Sequence, residues 1–275
     1  MQTLIYCYDA YCGWCYGFSE VIKKINSQFK NILEFEVLSG GMILPEEPVA
    51  IGATAKYIDE SYKRVEEITG IKFGEDYLWH VRHPDASDWF PNSEKAAIAL
   101  CVFKDYYPDQ QVSFATDLEY ALHFEGRDLT DDEAYRLLLE KYNIPEEEFY
   151  EKLNEEEYKE RAYYEFELCK QLKVSGFPAV FIQLSESKFY LVAQGYTDYE
   201  TLRQRIQNVL NENAAGDSVE HRKYSCRHWL FLNTVNEQIF VILIHVKHLY
   251  SCIPGYFSRI VLHSDISCQH KKIVA

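Results

Sequence analysis

One short segment of the sequence has clear chemical potential, Cys12-Gly13-Trp14-Cys15. The apolar run from Leu4 to Tyr8 precedes it and is typical of a buried strand, and a helical apolar pattern begins at Cys15. Cys12 should therefore start a helix, where unpaired backbone N–H groups and the helix dipole favour a thiolate. A thiolate is the nucleophile of disulfide exchange. The second thiol, one turn deeper, could resolve a mixed disulfide, so the segment predicts a redox pair.

Other interpretations of the cysteines remain open at this point. Cys7, Cys12 and Cys15 have part of an iron–sulfur spacing, whose fourth ligand would have to come from Cys101 or Cys169 inside predicted helices. The motif could also be half of a metal knuckle or two unpaired core thiols. We favour the redox pair because it lies at a strand-to-helix junction. Cys7, Cys101 and Cys169 are expected to be small buried apolar side chains.

A second feature is the segment Gly176-Phe177-Pro178, directly before an apolar run that predicts a strand at residues 178–183. A proline at the start of a strand donates no hydrogen bond to the ladder, so it belongs at an edge or beside a site. An X-Pro bond also adopts the cis form at a cost of only about 0.5–1 kcal/mol.

The elements that would position these motifs follow from hydrophobic periodicity. Apolar residues recur at helical spacing from Phe18 to Phe29, and residues 32–38 predict a second strand that closes at Gly40-Gly41. This is a βαβ unit. Residues 48–172 are predominantly helical, with a capping box at Thr130 and Glu133. Two further strands, 178–183 and 188–193, predict a hairpin before a last helix capped at Asp198.

Layout and motifs together resemble the DsbA family of the thioredoxin superfamily, in particular its cytosolic FrnE-like branch. The matching motifs are Tyr11-Cys12-Gly13-Trp14-Cys15-Tyr16-Gly17, Gly40-Gly41-Met42 and Gly176-Phe177-Pro178. The resemblance covers about residues 1–215. It implies an α/β thioredoxin-like fold with a large all-helical insertion between the second and third strands. Residues 1–47 and 173–215 would form the thioredoxin-like domain, and residues 48–172 the inserted helical domain.

The resemblance also assigns roles. It implies that Cys12 is the attacking thiol, that Cys15 is the resolving thiol and that Pro178 is a cis-proline facing them. In that family the residue before the proline, here Phe177, offers backbone hydrogen bonds to an extended substrate segment.

The chain departs from the family pattern at two places. Gly13 and Trp14, which should tune the redox properties, stand where the family often has Pro-His or Pro-Trp. Related proteins carry a buried acid six residues before the first cysteine, but here that position is Tyr6. The acid that would exchange protons with Cys15 is therefore missing or lies elsewhere.

Composition restricts the class of protein. The chain has 275 residues, 47% of them hydrophobic, and a net charge of −15, which argues against nucleic acid or an anionic membrane surface as partner. No apolar run reaches the roughly 20 residues of a membrane-spanning helix. The eight irregularly spaced cysteines and the early Asp9 argue against a disulfide-rich secreted protein with a leader peptide. We therefore expect a cytoplasmic location and mostly reduced thiols.

The C-terminal segment, residues 216–275, differs from the rest. Residues 1–215 have a net charge of −18, whereas residues 216–275 have +3 and contain six of the nine histidines and three of the eight cysteines. Nothing in the preceding fold calls for a further strand. The segment could be a small module, an extension that docks on the body or a stretch foreign to the original reading frame, which we favour. Its His and Cys spacings match no tight ligand pair, so we expect no metal.

The predicted function is thiol-disulfide oxidoreduction of the protein disulfide isomerase-like, DsbA-like kind, without a cofactor. The substrates would be proteins or peptides with thiols or disulfides, and glutathione is a further candidate. One alternative is a glutathione-dependent isomerase or transferase of the same fold, although those relatives usually carry Ser in place of Cys12. The other is a non-catalytic module that binds peptides beside Pro178. Redox direction and oligomeric state stay open.

Overall fold

The computed structural model describes residues 2–220 and 240–243. The elements in chain order are β1 (Thr3–Tyr8), α1 (Gly13–Phe29), β2 (Glu34–Ser39), α2 (Gly52–Thr69), α3 (Glu75–Arg82), α4 (Ser93–Tyr106), α5 (Gln111–His123), α6 (Arg136–Tyr142), α7 (Glu146–Leu153), α8 (Glu156–Gln171), β3 (Ala179–Ser185), β4 (Lys188–Gln194), α9 (Tyr199–Glu220) and β5 (Phe240–Leu243). The predicted order of a βαβ unit, a helical block, a hairpin and a last helix is confirmed. No helix in this described part of the chain is both long and apolar enough to cross a bilayer.

The sheet has the strand order β2-β1-β3-β4-β5. β1 and β2 are parallel and are connected through α1, whereas the β1–β3 and β3–β4 pairs are antiparallel. The first four strands, with α1 and α9 and the helices α2–α8 inserted between β2 and β3, form the predicted thioredoxin fold with its helical insertion.

Side chains of β1 alternate between two cores, as a strand buried on both faces requires. Tyr6 and Tyr8 belong to the larger core, which contains Cys12 and Cys15. Cys7 points to the smaller core on the other face of the sheet. The three N-terminal thiols therefore do not converge, which argues against the iron–sulfur interpretation of their spacing.

The free edge of β2 is covered by the helical insertion. Gln111, the first residue of α5, accepts a hydrogen bond from the Val37 N–H at 2.9 Å through its side-chain oxygen. Its side-chain amide donates to the Phe35 carbonyl at 3.2 Å. One glutamine side chain therefore replaces two hydrogen bonds that another strand would make, and it blocks an edge that could otherwise pair with a foreign strand.

A buried lysine makes the second attachment between insertion and sheet. The Lys104 ammonium, on α4, lies 2.8 Å from Glu36 Oε1 and 2.6 Å from Glu165 Oε1, and it donates to the Val37 carbonyl at 2.6 Å. The other Glu165 oxygen accepts from the Ser39 N–H at 2.9 Å. Burial alone would lower the pKa of Lys104, but the two carboxylates raise it above its ordinary value. The lysine is therefore charged at every physiological pH.

One local prediction is wrong. The sequence predicts a capping box at Thr130 and Glu133, but the Thr130 N–H and hydroxyl both donate to Asp128 Oδ1, at 2.9 and 2.8 Å. A 3₁₀ turn, Asp132–Tyr135, then precedes α6. The nearby carboxylate satisfies the threonine first, which is the usual competition between local side-chain hydrogen bonds and a helix cap.

The sheet contains one strand that the sequence analysis did not predict, β5. β5 pairs antiparallel with β4, from Lys188 opposite Leu243 to Leu191 opposite Phe240. The division of the chain near residue 216 stays a prediction, although α9 runs past it to Glu220. The histidines and cysteines of the C-terminal segment that were weighed as metal ligands lie outside the described residues.

Replacing Lys104 with Met should lower the free energy of unfolding by about 3–5 kcal/mol, because it leaves the buried Glu165 carboxylate without a counter-ion. Lys141→Met is the matched control. Its ion pair with Asp117 leaves 54% of the lysine side chain exposed, so the loss should be about 1 kcal/mol or less. Urea denaturation measures both. Equal losses in the two variants would contradict the attachment role of Lys104.

A chain ending at Ala215 should fold and retain the activity of the full chain. That cut keeps the strands β1–β4. It also keeps the buried residues of α9, which are Leu202, Ile206 and Val209. β5 adds only to the β4 edge. Thermal melting and a disulfide-exchange assay, compared with the full chain, test this. An unfolded shortened chain would show that β5 and its segment belong to the working domain.

Candidate active site

The two motif cysteines lie where β1 leads into α1. Cys12 is the N-cap residue of α1 with an extended backbone, φ −84° and ψ 107°. Its N–H donates to the Asp9 carbonyl at 3.0 Å, and its carbonyl accepts from the Tyr16 N–H at 3.1 Å. Its thiol therefore lies at the N-terminus of the helix, the position that the sequence predicts.

Cys12 and Cys15 have different environments. Cys12 is 7% exposed, whereas Cys15 is completely buried. Burial, the adjacent Cys12 thiol and the charge of Glu119 all raise the pKa of the Cys15 thiol well above its ordinary value. Both groups are free thiols. The pair thus consists of one cysteine with slight exposure and a second, fully buried one that is held in its protonated form.

The proline segment lies directly opposite Cys12. The Cys12 thiol donates to the Phe177 carbonyl, with 3.6 Å between sulfur and oxygen, and the Phe177–Pro178 peptide is cis. The Phe177 ring packs against Gly40 so closely that a Cβ there would lie 2.0 Å from a ring carbon. The three motifs at residues 12–15, 40–42 and 176–178 therefore meet at one place, and only glycine fits at position 40.

Asp9 is a buried residue that the sequence analysis missed as part of this site. Its carboxylate accepts hydrogen bonds from the Tyr11 N–H at 3.0 Å, the Met42 N–H at 2.7 Å and the Ser93 hydroxyl at 2.9 Å. Burial raises the pKa of Asp9, and these hydrogen bonds oppose that shift. One side chain therefore joins the cysteine loop, the loop after β2 and the start of α4. An acidic residue at the end of an apolar strand was the available signal.

Glu119 is the second residue that the sequence analysis missed. It lies on α5, is completely buried, and neither carboxyl oxygen has a partner at ordinary hydrogen-bond geometry within the described part of the chain. Burial first, and then the charge of Cys12, raise its pKa well above the ordinary value. A weak hydrogen bond from the Tyr6 hydroxyl lowers the pKa of Glu119, while burial and then the charge of Glu119 raise the pKa of Tyr6. Tyr6 stands at the position where related proteins carry a buried acid.

His123, one turn further along α5, is enclosed by aromatic rings. Its ring lies 5.1 Å from that of Tyr16, 5.4 Å from that of Phe73 and 5.0 Å from that of Tyr77, measured between centroids. Burial lowers its pKa to about 3. The imidazole is therefore neutral at physiological pH and contributes packing beside the cysteine helix.

Sequence comparison identifies the family. The fold and the site together define a thioredoxin-fold protein with one slightly exposed thiol, one fully buried thiol and a facing cis-proline. The profile of the DSBA-like thioredoxin domain matches residues 3–207. The chain therefore belongs to the DSBA-like thioredoxin family. A search of curated proteins found no match.

Solved structures support the same fold. A candidate protein disulfide isomerase from Nitrosomonas europaea has 24% identity and a TM-score of 0.68, covering 77% of this chain and 98% of its own. Cytosolic disulfide reductase DsbM from Pseudomonas aeruginosa has 21% identity and a TM-score of 0.62, covering 76% and 99%. A second structure of DsbM from Pseudomonas aeruginosa, solved with glutathione, has 22% identity and a TM-score of 0.57. This match covers 76% of the present chain and 99% of DsbM.

The buried His123 predicts a pH-dependent stability. Between its ordinary pKa of about 6.5 and its folded value of about 3, the unfolded chain binds a proton that the folded chain does not. Stability must therefore fall as the pH falls through this range, by about 2 kcal/mol between pH 7 and pH 5.

His123→Phe should remove that loss, so the difference in unfolding free energy between variant and wild type should change by about 2 kcal/mol over this range. His83→Phe, which alters an exposed histidine stacked on Trp79, is the control and should follow the wild type. Urea titrations at several pH values measure the effect. Parallel curves for wild type and His123→Phe would contradict it.

Proposed function

We propose that this protein is a thiol-disulfide oxidoreductase that exchanges disulfides with protein or peptide substrates through Cys12 and Cys15. The observation that carries the proposal is the asymmetry of the pair. Cys12, at a helix N-terminus, keeps a small exposed area of 7%, and Cys15 is fully buried. This is the arrangement that a two-step exchange requires.

The reaction follows from these positions, written for reduction of a substrate disulfide. The Cys12 thiolate attacks one substrate sulfur, the substrate disulfide breaks and a mixed disulfide forms. Cys15 then attacks the Cys12 sulfur, and the second substrate thiol leaves. Two electrons pass from the cysteine pair to the substrate, and the reverse sequence oxidises a dithiol.

Gly13 and Trp14 separate the two cysteines in the sequence, and the Phe73 ring packs over Gly13. We assign to these two residues the tuning of the redox equilibrium.

The substrate segment would bind beside Phe177 and Pro178. The Phe177 carbonyl faces Cys12 at 3.6 Å, so an extended peptide that brings its sulfur to Cys12 also meets this backbone. Met42 and Leu44, exposed by 45% and 37%, follow the Gly40-Gly41 turn against which Phe177 packs. Their apolar side chains would contact the residues that flank the substrate cysteine. We therefore infer a polypeptide substrate in extended form.

The cellular location and the thiol partner are inferred from a structural relative. DsbM is a cytosolic disulfide reductase and has been solved with glutathione. By analogy we propose a cytoplasmic role in the FrnE-like branch, with glutathione among the thiols that react at Cys12.

Iodoacetamide should alkylate Cys12 before Cys7, Cys15, Cys101 or Cys169 in the reduced protein at pH 7. Burial raises the pKa of Cys7, Cys15 and Cys101 and restricts access to them. Peptide mapping by mass spectrometry identifies the order of labelling. First labelling of Cys15 would mean that the roles of the two cysteines are reversed.

Insulin reduction with dithiothreitol tests the function itself. Cys12→Ser should have no exchange activity, and Cys15→Ser should accumulate a mixed disulfide with the substrate because the resolving thiol is absent. Cys101→Ser is the matched control, since serine can keep the 3.5 Å contact with Glu165, and it should retain the wild-type rate. An active Cys12→Ser variant would overturn the proposal. Conjugation of glutathione without disulfide exchange would instead support the transferase alternative.

A further inference from the structure

A buried carboxyl without a counter-ion lies close to the cysteine pair. We propose that Glu119 is the proton-transfer group of this site, taking the Cys15 proton when Cys15 resolves a mixed disulfide and returning it when the pair is reduced. The inference rests on the proposed function and adds the step on which its second half depends. Asp9 is the acidic residue nearest to the two cysteines in sequence, but hydrogen bonds from Tyr11, Met42 and Ser93 already occupy its carboxylate.

The position of Glu119 requires an explanation. Its side chain has no exposed surface, and neither carboxyl oxygen has a partner at ordinary hydrogen-bond geometry within the described residues. The Tyr6 hydroxyl makes one weak hydrogen bond that lowers the pKa of Glu119. A buried polar group so poorly paired destabilises a fold. An apolar residue would fill the same space without that penalty. The helix that carries Glu119, α5, packs against α1, the helix that carries Cys15, and the charge of Glu119 raises the pKa of the Cys15 thiol. A costly carboxyl beside a thiol that must lose its proton points to a proton acceptor.

The surroundings of the carboxyl leave it free for this role. Charged and titratable groups that face it come from β1, from the loop after it and from α1; they are Tyr6, Tyr8, Asp9, Cys12, Cys15, Tyr16 and Lys23. Lys23 is the one cation in this described set, and its ammonium pairs with Glu20 on the exposed side of α1. Lys23 lowers the pKa of Glu119 without forming an ion pair with it.

The timing of proton transfer follows from the charge of Cys12. While Cys12 is a thiolate, its charge raises the pKa of Glu119. In the mixed disulfide the Cys12 sulfur is bonded to the substrate and carries no charge, so Glu119 ionises more readily at the moment when Cys15 must lose its proton. The transfer can run directly or through one water.

The balanced step is as follows. The Glu119 carboxylate takes the proton from the Cys15 thiol, and the Cys15 sulfur bonds to the Cys12 sulfur. The bond between Cys12 and the substrate breaks, and its electron pair stays on the substrate sulfur, which leaves as a thiolate. The products are the Cys12–Cys15 disulfide, protonated Glu119 and the substrate thiolate, which carries away the negative charge.

Glu119→Gln tests the proposal because it keeps the size of the side chain and removes its ionisation. Reduced protein is mixed with a disulfide-bonded peptide, quenched with acid at successive times and analysed by mass spectrometry. The mixed disulfide should form at the wild-type rate and resolve about 100-fold more slowly. Its resolution should also lose the Glu119 ionisation from the pH profile, and Glu119→Asp should recover part of both.

Asp117→Asn is the matched control on the same helix. The Asp117 carboxylate bonds to Lys141 and Tyr142, both at 2.6 Å, away from the cysteine pair. This variant should resolve the mixed disulfide like the wild type. If Glu119→Gln also resolves it at the wild-type rate with the same pH profile, the inference is wrong. If the wild type forms no mixed disulfide at Cys12, the proposed function itself fails.

The stability of Glu119→Gln gives a second test of the proposal. Stability should increase in this variant, whereas the rate of resolution should decrease. Burial raises the pKa of Glu119, so the folded chain retains a proton that the unfolded chain releases above about pH 4.5, and stability falls as the pH rises through this range. Glu119→Gln has no such proton. Its melting temperature should therefore exceed that of the wild type by a margin that grows from pH 5 to pH 8. A residue with a merely structural role would instead give a lower melting temperature and normal resolution.

Discussion

The unpaired edge of β2 is the constraint on which the arrangement of the helical insertion depends. An edge strand covered by other elements must have its backbone groups satisfied. Gln111, Lys104 and Glu165 do this from three helices. Because Gln111 is the first residue of α5, its two bonds to β2 set the position of that helix along the sheet. Glu119 lies about two helical turns further on, beside the cysteine pair. Thus the contacts that close the sheet edge also determine where the buried carboxyl lies.

Asp9, which directly follows β1, likewise holds separate parts of the fold together. Its bonds to Tyr11, Met42 and Ser93 connect three segments that are distant in sequence. Met42 follows the glycine turn that holds the Phe177 ring, so the distance between Cys12 and Phe177 depends indirectly on this carboxylate. The site is therefore assembled between the thioredoxin-like elements and the insertion, with polar side chains at both junctions.

The sequence was sufficient to predict features with local causes. The strand before Cys12, the start of α1 and the proline segment depend on neighbouring residues, and their patterns predict them directly. Glu119 and His123 could not be recognised in this way, because α5 is buried on nearly all sides and gives no polar face to interpret. Their partners are set by contacts between distant residues, such as Gln111 with Val37, 74 residues apart. β5 was missed for the same reason, since its pairing with β4 joins segments about 50 residues apart.

The electrostatics of the interior explain why proton transfer matters here. Burial shifts the pKa of each group beneath Cys12 in the direction that favours its neutral form. The pKa rises for Cys15, Tyr6 and Glu119 and falls to about 3 for His123. An interior of this kind disfavours a lone buried thiolate, because desolvation of a charge is expensive without a partner. The neutral His123 offers no positive charge, so a Cys15 thiolate would have no counter-ion there. A carboxylate that takes the proton as the sulfur attacks avoids a free thiolate at Cys15, because the negative charge passes to the substrate sulfur as it leaves. The same burial that destabilises the Glu119 carboxylate raises its basicity for this task.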